Sequence, residues 1–291
     1  MLILSPRLRS AVIFSLLASQ PLASHAGEPP VGMVDEPCPA PLAPSTRLRD
    51  ELVSLFLEPR TLTAEDFRRF LSDPELIQFN EENQRRAQQD WPGLCRYRAD
   101  NAAVVSQSSP PRIVFMGDSI TENWGLADPG FFSDGVVNRG ISGQTTAQML
   151  VRFRSDVIAL RPKVVHILGG TNDIAGNTGP TSPQDFKNQI MSMVELAQSN
   201  RIDVVLGSIP PAASLPWRPQ VNPTPIIASL NAWLRDYATS KNIGFIDYYS
   251  ALVGDSGQLR AEVGNDGVHP NRKGYAIMRR LVQSKLPGNK D

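Results

Sequence analysis

Histidine is the side chain best suited to take up a proton near neutral pH, and the 291-residue chain contains only three. His25 lies in an N-terminal segment with the pattern of a targeting signal, and His166 lies inside an apolar run, where a core histidine is expected. His269 follows Asp266 by three residues in a polar stretch. A turn of that length can place the Asp266 carboxylate on Nδ1–H and leave Nε2 free. We therefore predict His269 as a general base and Asp266 as the group that orients it.

A serine nucleophile for this base is present in the run Gly117-Asp118-Ser119, which directly follows the apolar segment Ile113–Met116. A strand-to-helix junction at Ser119 would leave its backbone N–H unpaired and directed at an anion. Gly143 offers an N–H that no side chain blocks, and Asn172 offers a side-chain amide. A nucleophile, a base, an orienting carboxylate and oxyanion donors are what ester cleavage requires. The predicted catalytic residues are Ser119, His269 and Asp266, and the predicted oxyanion hole is Ser119, Gly143 and Asn172.

These residues would be positioned by buried strands that alternate with helices. The apolar runs are Ile113–Met116, Val164–Leu168, Val204–Leu206 and Ile243–Ile246, with a very short one at Val136-Val137. The helical segments are Thr145–Asp156, Pro183–Ser199, Pro225–Ser240 and Asn271–Lys285. This alternation predicts a parallel sheet covered by helices on both faces. Ligand sites in such α/β folds collect at the carboxyl ends of the strands, where the candidate residues lie.

Four blocks in this order resemble the GDSL/SGNH hydrolase family. They are Gly-Asp-Ser after the first strand, Gly143 in the second block, Gly-X-X-Asn ending in Asn172, and Asp-X-X-His. The resemblance covers about residues 111 to 285, with Ile120 where the family name has leucine. It implies the same roles for the five residues, and a flavodoxin-like three-layer α/β/α sandwich with a five-stranded parallel sheet. It also implies cleavage of short acyl esters, acetylated sugars, aryl esters, lipids or thioesters without a metal or other cofactor.

Together the residues and the resemblance predict a serine esterase that hydrolyses short-chain acyl esters, acetyl esters foremost, through an acyl-enzyme on Ser119. The substrate would be a small molecule or a carbohydrate ester. Two alternatives stay open: a carbohydrate-binding or scaffold protein that keeps the fold without turnover, and a transacylase. With 29 Lys+Arg against 29 Asp+Glu, net charge gives no reason to expect nucleic acid or an anionic membrane surface as a partner.

Three further side chains are candidates for substrate binding, each with a structural alternative. Trp217 and Arg218 lie in a Pro-rich loop after the fourth strand, which would wall the pocket or form a rigid surface loop. Trp124, soon after Ser119, would line the pocket or pack in the core. Asp118 and Asp173 are expected to brace their loops through backbone hydrogen bonds, and no metal site is expected. A second Gly-Asp-Ser, in Gly254–Gly257, has no strand before it and predicts a surface turn.

The N-terminal third has no visible chemistry. Residues 1–26 combine two arginines, an apolar run from Ala11 to Leu22 and small residues before Gly27, which predicts a signal peptide rather than an uncleaved anchor. The expected location is therefore periplasmic or secreted, without a stable membrane anchor. Cys38 and Cys95 are either an oxidised pair or two unrelated thiols, and export favours the pair.

Residues 27–110 are predicted as a Pro-rich lead-in and a helical extension, with helix starts near Thr63 and Pro74. Residues 111–291 are predicted as the catalytic domain.

Overall fold

The computed structural model describes residues 32–285. Its centre is a five-stranded parallel sheet with the strand order β2-β1-β3-β4-β5. The strands are β1 Ile113–Gly117, β2 Val136–Gly140, β3 Val164–Leu168, β4 Asp203–Gly207 and β5 Gly244–Ile246. This order is the flavodoxin-like one, and it confirms the predicted fold class.

Strand β2 is longer than its apolar residues suggest. Only Val136 and Val137 are apolar at its start, yet the strand runs on through Asn138 and Arg139 and pairs in register with β1 as far as Gly140 opposite Gly117. It is an edge strand, so one side of its backbone and part of its side chains face polar surroundings rather than the core. The hydrogen-bond ladder with β1, not hydrophobicity, determines its length.

Eleven α-helices surround the sheet in the described part of the chain. They are α1 Thr46–Leu52, α2 Ala64–Leu71, α3 Pro74–Gln89, α4 Arg98–Val105, α5 Ser119–Ala127, α6 Thr146–Asp156, α7 Thr171–Ala175, α8 Pro183–Ser199, α9 Thr224–Lys241, α10 Tyr248–Leu252 and α11 Arg272–Gln283. The four long helices predicted after residue 144 are confirmed to within one or two residues. Within residues 32–285, none of the helices is long and apolar enough to cross a membrane.

Successive residues of each strand point to opposite faces, and this alternation builds two cores. Val114 and Met116 of β1 pack with α6, α8 and α9 in one cluster. Ile113 and Phe115 of the same strand pack with α5, α10 and α11 in the other. The layers are therefore helices, sheet and helices, and strand ends converge at one rim of the sheet.

The N-terminal helices form a third, smaller cluster on the second of these faces. Its buried members are Leu48, Leu52, Leu55, Phe56, Phe70, Leu76 and Phe79. A π-helical turn, Val53–Leu57, continues α1 and carries Leu57 into the core beside α5. Helix α2 begins at a Thr63 capping box and α3 has Pro74 at its first turn, as predicted.

A disulfide joins Cys38 to Cys95 with a Cα–Cα distance of 5.3 Å, which confirms the predicted pair. It ties the lead-in to the short turn between α3 and α4. The predicted signal peptide lies outside the described residues.

Candidate active site

Ser119 is the first residue of α5 and follows β1 after a single residue. That residue, Asp118, is the N-cap, and its Oδ1 accepts a hydrogen bond from the Ile120 N–H at 3.0 Å. The turn is tight: a Cβ on Gly117 would lie 2.7 Å from the Leu168 carbonyl oxygen, so only glycine fits there. Ser119 Oγ lies 2.9 Å from His269 Nε2, and the two residues are 6% and 5% exposed.

His269 is held by the turn that begins at Asp266. The Asp266 carboxylate uses one oxygen to accept the N–H groups of Val268 at 2.9 Å and His269 at 2.7 Å. Its other oxygen lies 2.6 Å from His269 Nδ1. Gly267, at φ +81°, permits this close turn. The predicted trio of Ser119, His269 and Asp266 is thus brought together in one connected chain of hydrogen bonds.

The charge state of Asp266 suits the role of an orienting carboxylate. Burial by itself would raise its pKa, but the interaction with His269 and the hydrogen bonds from His269 and Val268 outweigh burial and lower the pKa below the usual 3.8. Asp266 is therefore ionised at neutral pH, and its negative charge favours a proton on the Nδ1 atom of His269.

Two backbone N–H groups beside the serine are free for a ligand. Neither the Ser119 N–H nor the Gly143 N–H has an acceptor among residues 32–285. Gly143 has φ +77°, a conformation that other residues rarely adopt, and there is open space where a Cβ would lie. These are the properties expected of oxyanion donors at the ends of β1 and β2.

Asn172, the third predicted donor, lies in α7 after the end of β3. Its amide nitrogen donates to the Gln144 carbonyl at 3.0 Å and lies 3.4 Å from Asp118 Oδ2, a weak contact. The bond to the Gln144 carbonyl orients the amide, and the N–H that faces Asp118 is only weakly bonded. The Asn172 amide thus contacts Asp118 and Gln144, the chain neighbours of Ser119 and Gly143.

Asn177 is a site residue that no sequence pattern indicated. Its amide nitrogen donates to Asn172 Oδ1 at 2.8 Å and to the Gly143 carbonyl at 3.2 Å, and its oxygen accepts from Trp217 Nε1 at 3.1 Å. One side chain thus connects two candidate oxyanion donors to the Pro-rich loop. Because its partners are up to 40 residues away along the chain, local spacing could not have revealed it.

The three candidate substrate-binding residues have different surroundings. The Trp217 ring stacks on the His269 ring with centroids 6.4 Å apart and planes inclined by 28°. Arg218 lies beside it in the loop and donates from Nε to the Ala175 carbonyl at 3.1 Å. Both residues are half-buried. The Pro-rich loop reaches His269 through the Trp217 ring.

The prediction of Trp124 as a substrate-binding residue is wrong. Its side chain is fully buried and lies between the rings of Phe131 and Tyr275, with centroids at 5.4 and 5.7 Å. Helix α5 turns this side chain away from the rim and into the core. Packing in the core, the alternative given for Trp124, is what the structure shows.

Two buried carboxyl groups brace the loops of the site, as predicted. Asp173 accepts the Thr146 N–H at 3.0 Å and its hydroxyl, and so links α7 to α6. Asp118 caps α5 and approaches Asn172. Burial raises the pKa of Asp118 to about 7 and that of Asp173 to about 6, since the charged forms lose hydration.

Comparison with known proteins agrees with this geometry. The model of the GDSL-like lipase/acylhydrolase family matches residues 115–277, more than half of the chain. A GDSL-like lipase of Bacteroides thetaiotaomicron is 44% identical over 67% of this chain and 97% of its own, with a TM-score of 0.64. A candidate acylhydrolase of Bacteroides fragilis is 46% identical over 67% and 96%, also with a TM-score of 0.64.

Two more distant similarities add less. An acetylxylan esterase of Geobacillus stearothermophilus, 20% identical over 62% of this chain and 96% of its own, has a TM-score of 0.50 and shows a shared fold alone. An uncharacterized lipoprotein of Bacillus subtilis is 35% identical over 74 residues, which is 24% of this chain and 30% of that relative. On the match to the family model and to the Bacteroides structures, the chain belongs to the GDSL-like lipase/acylhydrolase family of carboxylic ester hydrolases.

Proposed function

We propose that the protein hydrolyses short-chain acyl esters, acetyl esters foremost, of small molecules or carbohydrates through an acyl-enzyme on Ser119. The observation that carries the proposal is the unbroken line from Ser119 Oγ to His269 Nε2, at 2.9 Å, and from His269 Nδ1 to Asp266, at 2.6 Å. This line ends beside the Ser119 and Gly143 N–H groups, which have no acceptor within residues 32–285. No other serine in the described chain has a histidine within hydrogen-bond distance.

The reaction proceeds in two half-reactions. Ser119 Oγ attacks the ester carbonyl while His269 Nε2 takes its proton, and the carbonyl oxygen becomes an oxyanion bound by the Ser119 and Gly143 N–H groups and the Asn172 amide. His269 then returns the proton to the departing alcohol. Water then attacks the acyl-enzyme while His269 Nε2 takes its proton. The bond between the acyl group and Ser119 Oγ breaks, His269 returns the proton to Oγ, and the acid is released. Asp266 holds the imidazole and stabilises its charged form throughout.

The surroundings of the nucleophile favour a small acyl group. Ser119 and His269 expose only 6% and 5% of their surface, which leaves little room at the reacting atoms. The Trp217 ring beside His269 adds a flat aromatic wall, which limits the space for an acyl chain and also offers a face that suits a sugar ring or an aryl group. An acetylated sugar is accordingly a substrate to test beside simple esters.

We also propose that the protein is exported, to the periplasm or beyond. The Cys38–Cys95 disulfide is typical of an oxidising compartment, and a curated relative is a lipoprotein. The division into residues 1–26, 27–110 and 111–291 stays a prediction.

The first test is hydrolysis of p-nitrophenyl esters from acetate to octanoate, and of an acetylated xylo-oligosaccharide, by the wild type and Ser119→Ala. We expect the wild type to prefer acetate and the variant to lose at least about 1,000-fold in kcat. Ser256→Ala is the matched control, because Ser256 lies in the exposed second Gly-Asp-Ser, and it should keep full activity. Equal rates for wild type and Ser119→Ala would contradict the proposal. So would an inactive wild type whose Ser119 is not labelled by a fluorophosphonate.

A further inference from the structure

We infer that the turn Trp91–Tyr97, tied down by the Cys38–Cys95 disulfide, positions the oxyanion donor Gly143. We call this turn the brace. The inference rests on the proposed function, in which the Gly143 N–H binds the oxyanion. It gives the N-terminal extension, which has no catalytic group of its own, a part in the reaction.

The residue before Gly143 is held by the brace through one intermediary. Arg96 Nη2 donates to Glu122 Oε1 at 2.7 Å, and Glu122 Oε2 accepts the Ser142 N–H at 2.9 Å and its hydroxyl. The Arg96 and Glu122 side chains are only 15% and 1% exposed. Because this pair is shielded from water and Glu122 belongs to α5, the contact ties Ser142 both to the brace and to the helix that begins at Ser119.

The residue after Gly143 is held by the brace directly. Gln144 Nε2 donates to the Pro92 carbonyl at 2.7 Å, while its Oε1 accepts from the buried Arg152 Nε at 2.6 Å. Gly93, at φ +73°, lets the brace approach: a Cβ there would lie 3.0 Å from Gln144 Nε2 and 3.1 Å from Ile141 Cδ1. The Gln144 side chain is thus held at both ends of its amide, by the brace and by Arg152.

A third contact holds Gly140, at the start of the segment that leads to Gly143. The Tyr97 hydroxyl donates to the carbonyl of Gly140, the last residue of β2, and the Arg139 guanidinium lies 4.6 Å over the Tyr97 ring. The brace thus contacts Gly140 and Gln144 directly and Ser142 through Glu122, so it holds the chain on both sides of Gly143. Cys95 lies next to Arg96 in the brace, so the disulfide limits the movement of this anchor.

The physical reason for such a brace lies in the requirements of an oxyanion hole. A donor helps only where it lies about 2.7 to 3.1 Å from the developing charge, so a displaced loop loses transition-state binding and leaves ground-state binding nearly unchanged. Gly143, in its left-handed conformation, has no side chain with which to fix itself. Apart from the Asn177 amide, which donates to the Gly143 carbonyl at 3.2 Å, its position depends on what holds its neighbours.

The test compares Arg96→Met with Arg98→Met in the full disulfide-bonded protein, with p-nitrophenyl acetate as substrate. Arg98 is the matched control: it lies two residues after Arg96, is exposed, and among residues 32–285 its side chain donates only to the Asp35 carbonyl. We expect Arg96→Met to lower kcat about 10- to 100-fold, with KM changed less than about threefold, and Arg98→Met to resemble the wild type. A trifluoromethyl ketone, whose serine adduct carries the oxyanion, should bind Arg96→Met more weakly by the same factor as kcat/KM falls.

Two further variants keep the inference testable if Arg96→Met does not fold. Tyr97→Phe removes one hydroxyl from the brace and should lower kcat about 3- to 10-fold at constant KM, and Arg96→Lys should recover part of the loss. The inference is overturned if Arg96→Met and Tyr97→Phe match Arg98→Met, or if they change only KM or thermal stability. Ser119→Ala separates this from failure of the proposed function, since that variant is inactive whenever Ser119 is the nucleophile, whatever the brace does.

Discussion

Asp266 divides two tasks between its two oxygens. One oxygen accepts the N–H groups of Val268 and His269 and so shapes the turn, while the other faces His269 Nδ1. An ionised carboxylate can accept on both sides, and its lowered pKa keeps it ionised. An amide has one acceptor oxygen and one donor nitrogen, so it cannot replace the carboxylate in both tasks.

Asp266→Asn tests this division. We expect kcat for p-nitrophenyl acetate to fall about 1,000- to 10,000-fold, because either the turn loses its acceptor or an NH₂ group faces the Nδ1 proton and favours the wrong tautomer. Circular dichroism should show a retained fold. Asp255→Asn, in the exposed turn of the second Gly-Asp-Ser, is the control and should be fully active. A loss of less than tenfold in Asp266→Asn would show that the carboxylate is not the orienting group.

At the scale of elements, the loop between β4 and α9 supplies the aromatic ring that stacks on His269, the proposed base. Asn231 of α9 anchors its start, with Oδ1 accepting the Ile209 N–H at 2.7 Å and Nδ2 donating to the Ile209 carbonyl at 2.9 Å. Prolines at several positions restrict the rest of the loop. Trp217 is therefore presented to His269 from a stiff support, and Asn177 fixes its indole N–H.

Trp217→Ala should change the acyl-length preference, because removal of the ring opens space beside the reacting atoms. We expect the ratio of kcat/KM for octanoate to that for acetate to rise about tenfold with p-nitrophenyl esters. Trp217→Phe keeps an aromatic wall but loses the bond to Asn177, and should change this ratio less. An unchanged ratio in Trp217→Ala would remove the loop from the acyl pocket.

At the scale of the whole molecule, the central strand β3 carries a buried histidine that the mechanism does not use. His166 Nε2 lies 3.0 Å from the Tyr248 hydroxyl, and the Nδ1 atom has no hydrogen-bond partner in the part of the chain that the structure describes. Burial lowers its pKa to about 3, because no group compensates a positive charge there. The unfolded chain takes up this proton below about pH 6.5, whereas the native protein does so only near pH 3. Native stability is therefore lost as the pH falls through this window.

His166→Gln should reduce the acid sensitivity of folding, since glutamine does not titrate and can still bond to Tyr248. We expect the free energy of unfolding to fall between pH 7 and 4.5 by about 2.5 kcal/mol more in the wild type than in the variant, measured by urea denaturation. Asp118 and Asp173 act in the opposite direction, since their raised pKa values favour the native state at lower pH. The wild type and His166→Gln both contain these two aspartates, so the difference between their pH dependences reports on His166 alone. An identical pH dependence would contradict a neutral His166 in the fold.

Short-range patterns in the sequence were sufficient to determine the order of strands and helices and the residues grouped at the rim. Apolar runs, the N-cap at Thr63 and the three-residue spacing of Asp266 and His269 depend on neighbours a few positions away, and the structure agrees with them. Parallel strands end on one side of a sheet, so residues at strand ends were expected to meet. The end of β2 was missed because an edge strand is defined by its ladder with β1, not by hydrophobicity.

Tertiary structure alone decided which aromatic residue lies at the candidate site and what holds the chain around Gly143. Trp124 and Trp217 are the same residue type, and the sequence left a pocket wall and a structural role open for both. Packing between Phe131 and Tyr275 buries the first, and loop geometry brings the second to His269. Asn177 and the brace make their contacts across tens of residues of chain. Such contacts depend on how separate elements pack, a property of the folded chain that no local spacing of residues contains.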